Sequence, residues 1–373
     1  MKTYRPWLKN AKFDLSFILL PPLFAVAFCL FFSDRLDGTE SIPLWAWLIF
    51  VLGIDVSHVY STLFRTYWNS REFAERRALF SIVPLGAWLI GVLLYSASAG
   101  IFWRFMAYLA VFHFIRQQYG FLCLYTRGDP TTVVKKWIDS SLIYTATLYP
   151  IIYWHANQPR KFFWFINGDF FDGFPPILAS AAGVIYLSLA ILYCATEITS
   201  YRRGFGLNIP KNLLLFGTAA SWYIGIVYFN GDMIFTITNI VAHGVPYIAL
   251  IWLYGERQIS AESPPKVLNR LDFRIFFSRY SAPLFIIVLL TLGYLEEGLW
   301  AGLVWREHLT AFTPFSHLPN VVSDDTLAWV VPLLSLPQVT HYILDGFIWK
   351  FRSTKSTWQD SIFTEKNCLP QNY

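Results

Sequence analysis

Ten apolar stretches, at approximately 14–32, 43–64, 78–99, 101–124, 136–154, 176–199, 212–229, 234–254, 281–302 and 327–349, follow one another with short connections between them. A helix needs about 20 apolar residues to cross the hydrocarbon core of a bilayer. The pattern predicts an all-α fold, a polytopic transmembrane helix bundle of about ten spans, and a single integral membrane domain over 1–373. Composition agrees: 14% of the residues are charged and 55% hydrophobic, where a soluble chain carries about 25% charged residues. The longest connections, 155–175, 255–280 and 303–326, leave no room for a separate soluble domain. There is no low-complexity segment and no evident internal repeat.

The basic opening MKTYRPWLKNAKFD precedes an apolar run as a secretory signal would. That run is long, contains Pro21-Pro22 and has no small-x-small cleavage site, so it is expected to be kept as the first helix. Basic residues then set orientation, because cytoplasmic loops are enriched in Lys and Arg. One set of segments holds Lys2, Arg5, Lys9 and Lys12; Arg65, Arg71, Arg76 and Arg77; Arg127, Lys135 and Lys136; Arg202, Arg203 and Lys211; Arg257, Lys266, Arg270, Arg274 and Arg279; and Lys350, Arg352, Lys355 and Lys366. The alternate segments hold only Arg35, Arg160, Lys161 and Arg306. The expectation is an even number of spans with both termini cytoplasmic, in a bacterial inner membrane. No partner nucleic acid is implied. Cys29, Cys123, Cys194 and Cys368 stand singly, without a CxxC pair, and read as small apolar fillers. The segment KFFWFINGDFFDGFPP (161–176) is expected as an interfacial aromatic belt or plug, with a substrate lid as the alternative.

Polar residues inside the spans carry the functional signal. Of seven histidines, His155, His308 and His317 fall in outer connections or at helix ends and read as surface residues. His58, His113, His243 and His341 fall one each in the second, fourth, eighth and tenth spans, all of which run the same way. At 1.5 Å rise per residue their depths agree within about 8 Å, so they share one layer. Each has a polar companion at helical spacing: Asp55 for His58, Arg116 and Gln117 for His113, Asn239 and Tyr247 for His243, and Asp345 for His341. A charged carboxylate at mid-span costs at least roughly 2.5–3.5 kcal/mol, so Asp55 and Asp345 require a cavity, a cation or a partner. A histidine bound to a metal usually has its other ring N–H held by such an acceptor. The four histidines are therefore candidate ligands of one metal ion. Asp55, Asn239 and Asp345 would orient them, and Arg116, Gln117 and Tyr247 would line the pocket.

Imidazole suits Zn, Cu, Fe and Ni. The clustered HxxxH and HxxHH boxes of di-iron membrane enzymes are missing, as are HExxH, GxSxG, Walker A and CxxCH. One layer, rather than two separated pairs, argues against a bis-histidine haem. Glu296-Glu297 is expected as an interfacial pair near the outer end of the ninth span.

GIDVSHVY with His58, FHFIRQ with His113 and HGVPY with His243 resemble the bacterial membrane-bound beta-carotene 15,15'-dioxygenase family, the bacteriorhodopsin-related proteins. The resemblance spans three short stretches. It implies an all-helical membrane protein with isolated histidines on different helices around a mononuclear iron. Where that family has His-x-x-x-His in the third region, this chain has His243 followed by Tyr247, and it adds His341.

The expectation is an integral-membrane non-haem oxygenase, with iron and dioxygen, acting on a lipophilic lipid or isoprenoid. An electron donor would be needed for hydroxylation but not for dioxygenase cleavage. Two other classes fit intramembrane His, Asp and Arg: a transporter, and a metal-free lipid transferase with His113 or His341 as base and Arg116 for phosphate.

Overall fold

The computed structural model describes residues 6–127, 129, 132–261, 273–278 and 280–349. Lys2, Arg5, Lys266, Arg270, Arg279, Lys350, Arg352, Lys355, Lys366 and Cys368 lie outside the described residues, as does the side chain of Arg274. Every regular element among the described residues is helical. Numbering the long helices only, α1 is Ala11–Phe31, α2 Leu44–Arg65 and α3 Arg77–Ala97. Next come α4 Ala99–Thr126, α5 Val133–Ala156 and α6 Pro176–Arg202. Helix α7 is Ile209–Trp222 with a π-helical continuation Tyr223–Tyr228, and α8 is Asp232–Ala261. Helix α9 is Ala282–Trp305, and α10 (Asp324–Leu334) and α11 (Leu336–Ile348) form a pair bent by 45°.

Local chemistry sets the boundaries. The Thr132 and Asn208 side chains accept hydrogen bonds from the Lys135 and Lys211 amides at the starts of α5 and α7. Pro176 and Pro210 sit in first turns, where a missing N–H costs nothing. Pro337 opens α11 in the same way and breaks the path from α10, while the Ser335 hydroxyl donates to the Val331 carbonyl. The α10–α11 bend thus has a proline cause.

Six helices are long and apolar enough to cross a membrane, and the bent pair taken as one span would make seven. The expected spans at 101–124, 136–154 and 212–229 are helices α4, α5 and α7, but these are not among the six. Their apolar content is diluted by side chains that serve the interior: His113, Gln118, Asp139, Thr147, Lys211 and Thr218 are all buried. Helix α8 is the axis of the bundle, with 83% of its most apolar window buried, against 11% for α6 and 17% for α3. The outer face of α6 exposes Ile177, Val184, Ile185, Leu187 and Ile191. An apolar surface of that kind requires a partner or lipid, and this chain is an integral membrane protein by the length and composition of its helices.

Two buried polar knots tie the bundle near the end where the basic residues gather. Arg65 pairs with Glu72 and donates to Tyr254 of α8 and to the Ile348 carbonyl of α11. Lys211, fully buried, lies 2.8 Å from Glu197 and 3.2 Å from Asp139, joining α5, α6 and α7. Lys135 also reaches Glu197, at 2.8 Å. Replacing Lys211 by Met therefore leaves Asp139 without its cation and Glu197 with one. Removing one partner of a buried pair costs roughly 3–5 kcal/mol, and the retained Lys135 contact sets the expectation at the lower end. Denaturation in detergent, monitored by far-UV circular dichroism, measures it, and metal content per folded chain should not change.

Candidate metal centre

Helix α2 reaches the site through a π-helical stretch, Trp47–Val56, which carries Asp55 and hands over to α-helix at Ser57. Gly244 of α8 lets the two helices touch: a Cβ there would stand 2.7 Å from Ile54 and 3.5 Å from His58 Nδ1. His58 of α2, His113 of α4, His243 of α8 and His341 of α11 meet at the centre, each 3% exposed or less. Their rings form a closed circuit. Centroids are 4.6 Å apart for His58–His243, 4.9 Å for His243–His113, 4.5 Å for His113–His341 and 4.9 Å for His341–His58. Neighbouring rings stand steeply to one another, at 69–89°.

One nitrogen from each histidine lies within 4.8 Å of the other three. An ion held at about 2.0–2.1 Å from each donor separates any two donors by at most about 4 Å, so the four nitrogens need to draw in by about an ångström or somewhat more to form a coordination shell. The Nε2 atoms of His58 and His243 are 3.0 Å apart. Those of His113 and His341 are buried with no hydrogen-bond partner. A buried polar atom left unpaired costs about 1–3 kcal/mol, and a shared cation is the partner all four can use together. The donor set therefore fits a transition-metal ion.

Behind the ring, carboxylates stand near three of the outward nitrogens and a hydroxyl bonds one, while His58 Nδ1 and His243 Nδ1 have no hydrogen-bond partner. Asp55 Oδ1 is 3.5 Å from His58 Nδ1. His341 Nδ1 is 2.7 Å from the Thr62 hydroxyl, which is 3.0 Å from the Tyr247 hydroxyl. Tyr247 donates to Asp345 Oδ1 at 2.6 Å. Asp345 also stands 3.7 Å from His113 Nδ1 and 3.9 Å from His341 Nδ1. With His341 Nε2 turned to an ion, Nδ1–H donates to Thr62, Thr62 to Tyr247, and Tyr247 to the carboxylate, a chain with one direction. The His243 ring is instead stacked on Phe114, with centroids 3.6 Å apart and planes at 8°.

The four histidines, Asp55, Asp345 and Tyr247 are thus brought together as the sequence suggests, but other companions are placed differently. Arg116 is exposed, donates to the Tyr144 hydroxyl and lies over the Tyr119 ring, away from the histidines and both aspartates. A role for it at the pocket is not supported by this position. Gln117 donates to the His243 carbonyl at 2.9 Å, holding the α8 backbone rather than a ligand. Asn239 donates to the Phe235 carbonyl and lines the adjoining cavity. His155 is buried, not a surface residue, with its ring between the Tyr108 hydroxyl and the Ile151 carbonyl, 2.6 Å from each. Thr62 and Phe114 were not foreseen, although Thr62 lies four residues after His58 and hence on the same helix face.

Beside the ring is a cavity of about 710 Å³. Phe114 and Asp55 are in its wall and the four histidines are not, so its floor is made of the side chains that hold them. In the segment 161–176, Phe163, Trp164, Phe165, Ile166 and Asn167 form part of the cavity wall, while Phe171 and Phe174 are exposed. Asp169 fixes that turn by accepting the Trp164 and Phe165 amides at 2.9 and 2.7 Å. Glu296-Glu297 is also not an interfacial pair. Glu296 is buried beside Tyr60 and Trp300, and Glu297 faces the cavity within electrostatic range of Asp55. The signal for it was available: two adjacent carboxylates in an apolar run raise the same insertion cost as Asp55.

No family model matches this chain, and neither the curated proteins nor the solved structures contain a match to it.

Proposed function

We propose that this chain is a membrane-embedded metal enzyme that uses iron and dioxygen to oxidise a lipophilic small molecule held in the cavity beside the histidine ring. The observation that carries this reading is the convergence of four buried imidazoles from four helices, sealed from solvent and floored off from a cavity of ligand size. Ligand pockets are commonly 300–1,000 Å³ and mostly apolar. An all-imidazole donor set suits zinc, copper, iron and nickel alike; the choice of iron rests on the resemblance of the His58, His113 and His243 segments to an iron dioxygenase family. Bound iron supplies the redox chemistry that activates dioxygen. The chain's own part is positional: Asp55 and the Thr62–Tyr247–Asp345 chain fix the imidazoles, and Phe114 separates them from the cavity. Cleavage of the substrate needs no electron donor; hydroxylation or desaturation needs one from outside the chain. In the same reading all ten helical runs cross a bacterial inner membrane with both termini cytoplasmic, a topology supported by the one-sided distribution of Lys and Arg.

The test is dioxygen uptake by iron-loaded protein in liposomes made from a total bacterial lipid extract, with mass spectrometry of the lipids. The expected result is lipid-dependent uptake, products heavier by one or two oxygen atoms or cleaved, and loss of both in His341→Ala. Protein that holds iron but consumes no dioxygen with any lipid fraction would remove the oxygenase assignment. Activity that survives iron chelation would favour the transferase.

A further inference from the structure

The cavity beside the histidine ring is lined with acidic groups that its function as an apolar pocket does not require. Five carboxylates are in its wall, Glu40, Asp55, Asp232, Glu297 and Glu307, and no lysine or arginine is among its lining residues. Of the cations nearby, Lys161 pairs with one wall carboxylate only, at 3.5 Å from Glu40, which is 79% exposed. Arg306 donates to the carbonyls of Gly302, Ser316 and Leu318. Asp55 and Glu297 have no lysine or arginine in the wall with them. The same wall presents Trp47, Trp103, Trp164, Trp300 and Trp305. An aromatic face attracts a cation within about 6 Å, Trp most strongly. A separate feature points inward as well: Asn239 lines the cavity, is only 4% exposed, and its Oδ1 has no hydrogen-bond partner.

We propose that this cavity is a binding site for an organic ammonium cation carrying an aromatic or apolar body. Size decides between that and a bare metal ion. A divalent ion fills a small part of about 710 Å³ and, keeping its water shell, is held off the indole faces. An alkyl- or arylammonium fills the volume, places its charge among Asp55, Glu297 and the Asn239 carbonyl, and packs its body on the rings. Anions of the same shape are excluded by the carboxylates. Binding of the cation stands without any metal; that the bound cation is the substrate rests on the functional reading above.

Isothermal titration of the full chain in lipid nanodiscs, with benzyltrimethylammonium, benzyl alcohol and benzoate, tests this. The expected result is saturable binding of the cation at least tenfold tighter than benzyl alcohol, and no binding of benzoate. Glu297→Gln should weaken the cation at least tenfold and leave benzyl alcohol unchanged. Trp164→Leu should weaken the cation more than the alcohol. Metal content is measured on the same samples, so a failure of the metal reading is seen separately. Equal binding of cation and alcohol, an unaffected Glu297→Gln, or saturation by magnesium ion alone would overturn the proposal.

Discussion

Protein reconstituted with iron(II) in the absence of oxygen will hold one ion per chain, and His113→Ala will hold essentially none after a desalting step. The expectation follows from the ring. Structural zinc sites of four ligands bind their metal with roughly 10–16 kcal/mol and iron(II) binds less tightly, so one ligand in four is worth up to about 3 kcal/mol, or up to about a hundredfold in affinity. His58→Ala, His243→Ala and His341→Ala should behave alike, because every ring is within 4.9 Å of two others in the circuit. His155→Ala is the control. It removes a buried histidine with two short hydrogen bonds, outside the ring, and should keep the metal. Elemental mass spectrometry of folded, monodisperse protein reads the outcome. Wild type without metal after this treatment would refute the centre, and full occupancy in a ring variant would place the ion elsewhere.

The ring was legible in the sequence because two periodicities conspired. The apolar runs fixed helix ends closely enough to compare depths, and a spacing of three or four residues put Asp55 beside His58 and Asp345 beside His341. Rotation about each helix axis was not legible. Arg116 is three residues from His113, about 60° around the helix at 3.6 residues per turn. That angle is enough to put His113 in the core and Arg116 on the exposed side against Tyr144. Nor could the sequence tell which helices are neighbours. Asp345 serves His113 of α4 as closely as it serves His341 of its own helix. Thr62 of α2 is the nearest partner of His341 only because α2 and α11 pack together. For the aromatic segment 161–176 composition suits a membrane interface but does not give the path: the Asp169 turn places residues 163–167 in the cavity wall.

Asp345→Asn will weaken metal binding by about 10–100-fold, the range for residues that hold a metal's ligands, and Tyr247→Phe by less than tenfold. Four neutral imidazoles leave the charge of a divalent ion uncompensated in a low-dielectric interior, where charge is costly to bury. The carboxylates that offset it are Asp55, which also faces the cavity, and Asp345, whose side chain is 9% exposed and lies near two ring nitrogens. Asparagine keeps the size of Asp345 and its acceptor toward Tyr247 but removes the charge. Phenylalanine at 247 keeps the charge and removes one hydroxyl from the chain between Thr62 and Asp345; the lost bond to the carboxylate is worth roughly 1.5–3 kcal/mol, but the hydroxyl itself does not face the ion, so most of that loss falls on the fold. Competition against a chelator of known affinity, at fixed pH and ionic strength, separates the two. If the two variants lose affinity equally, the hydrogen-bonded chain that holds the His341 ring in place outweighs the carboxylate's charge. If neither does, the ion is held by the imidazoles alone and Asp345 belongs to the packing of α8 against α11.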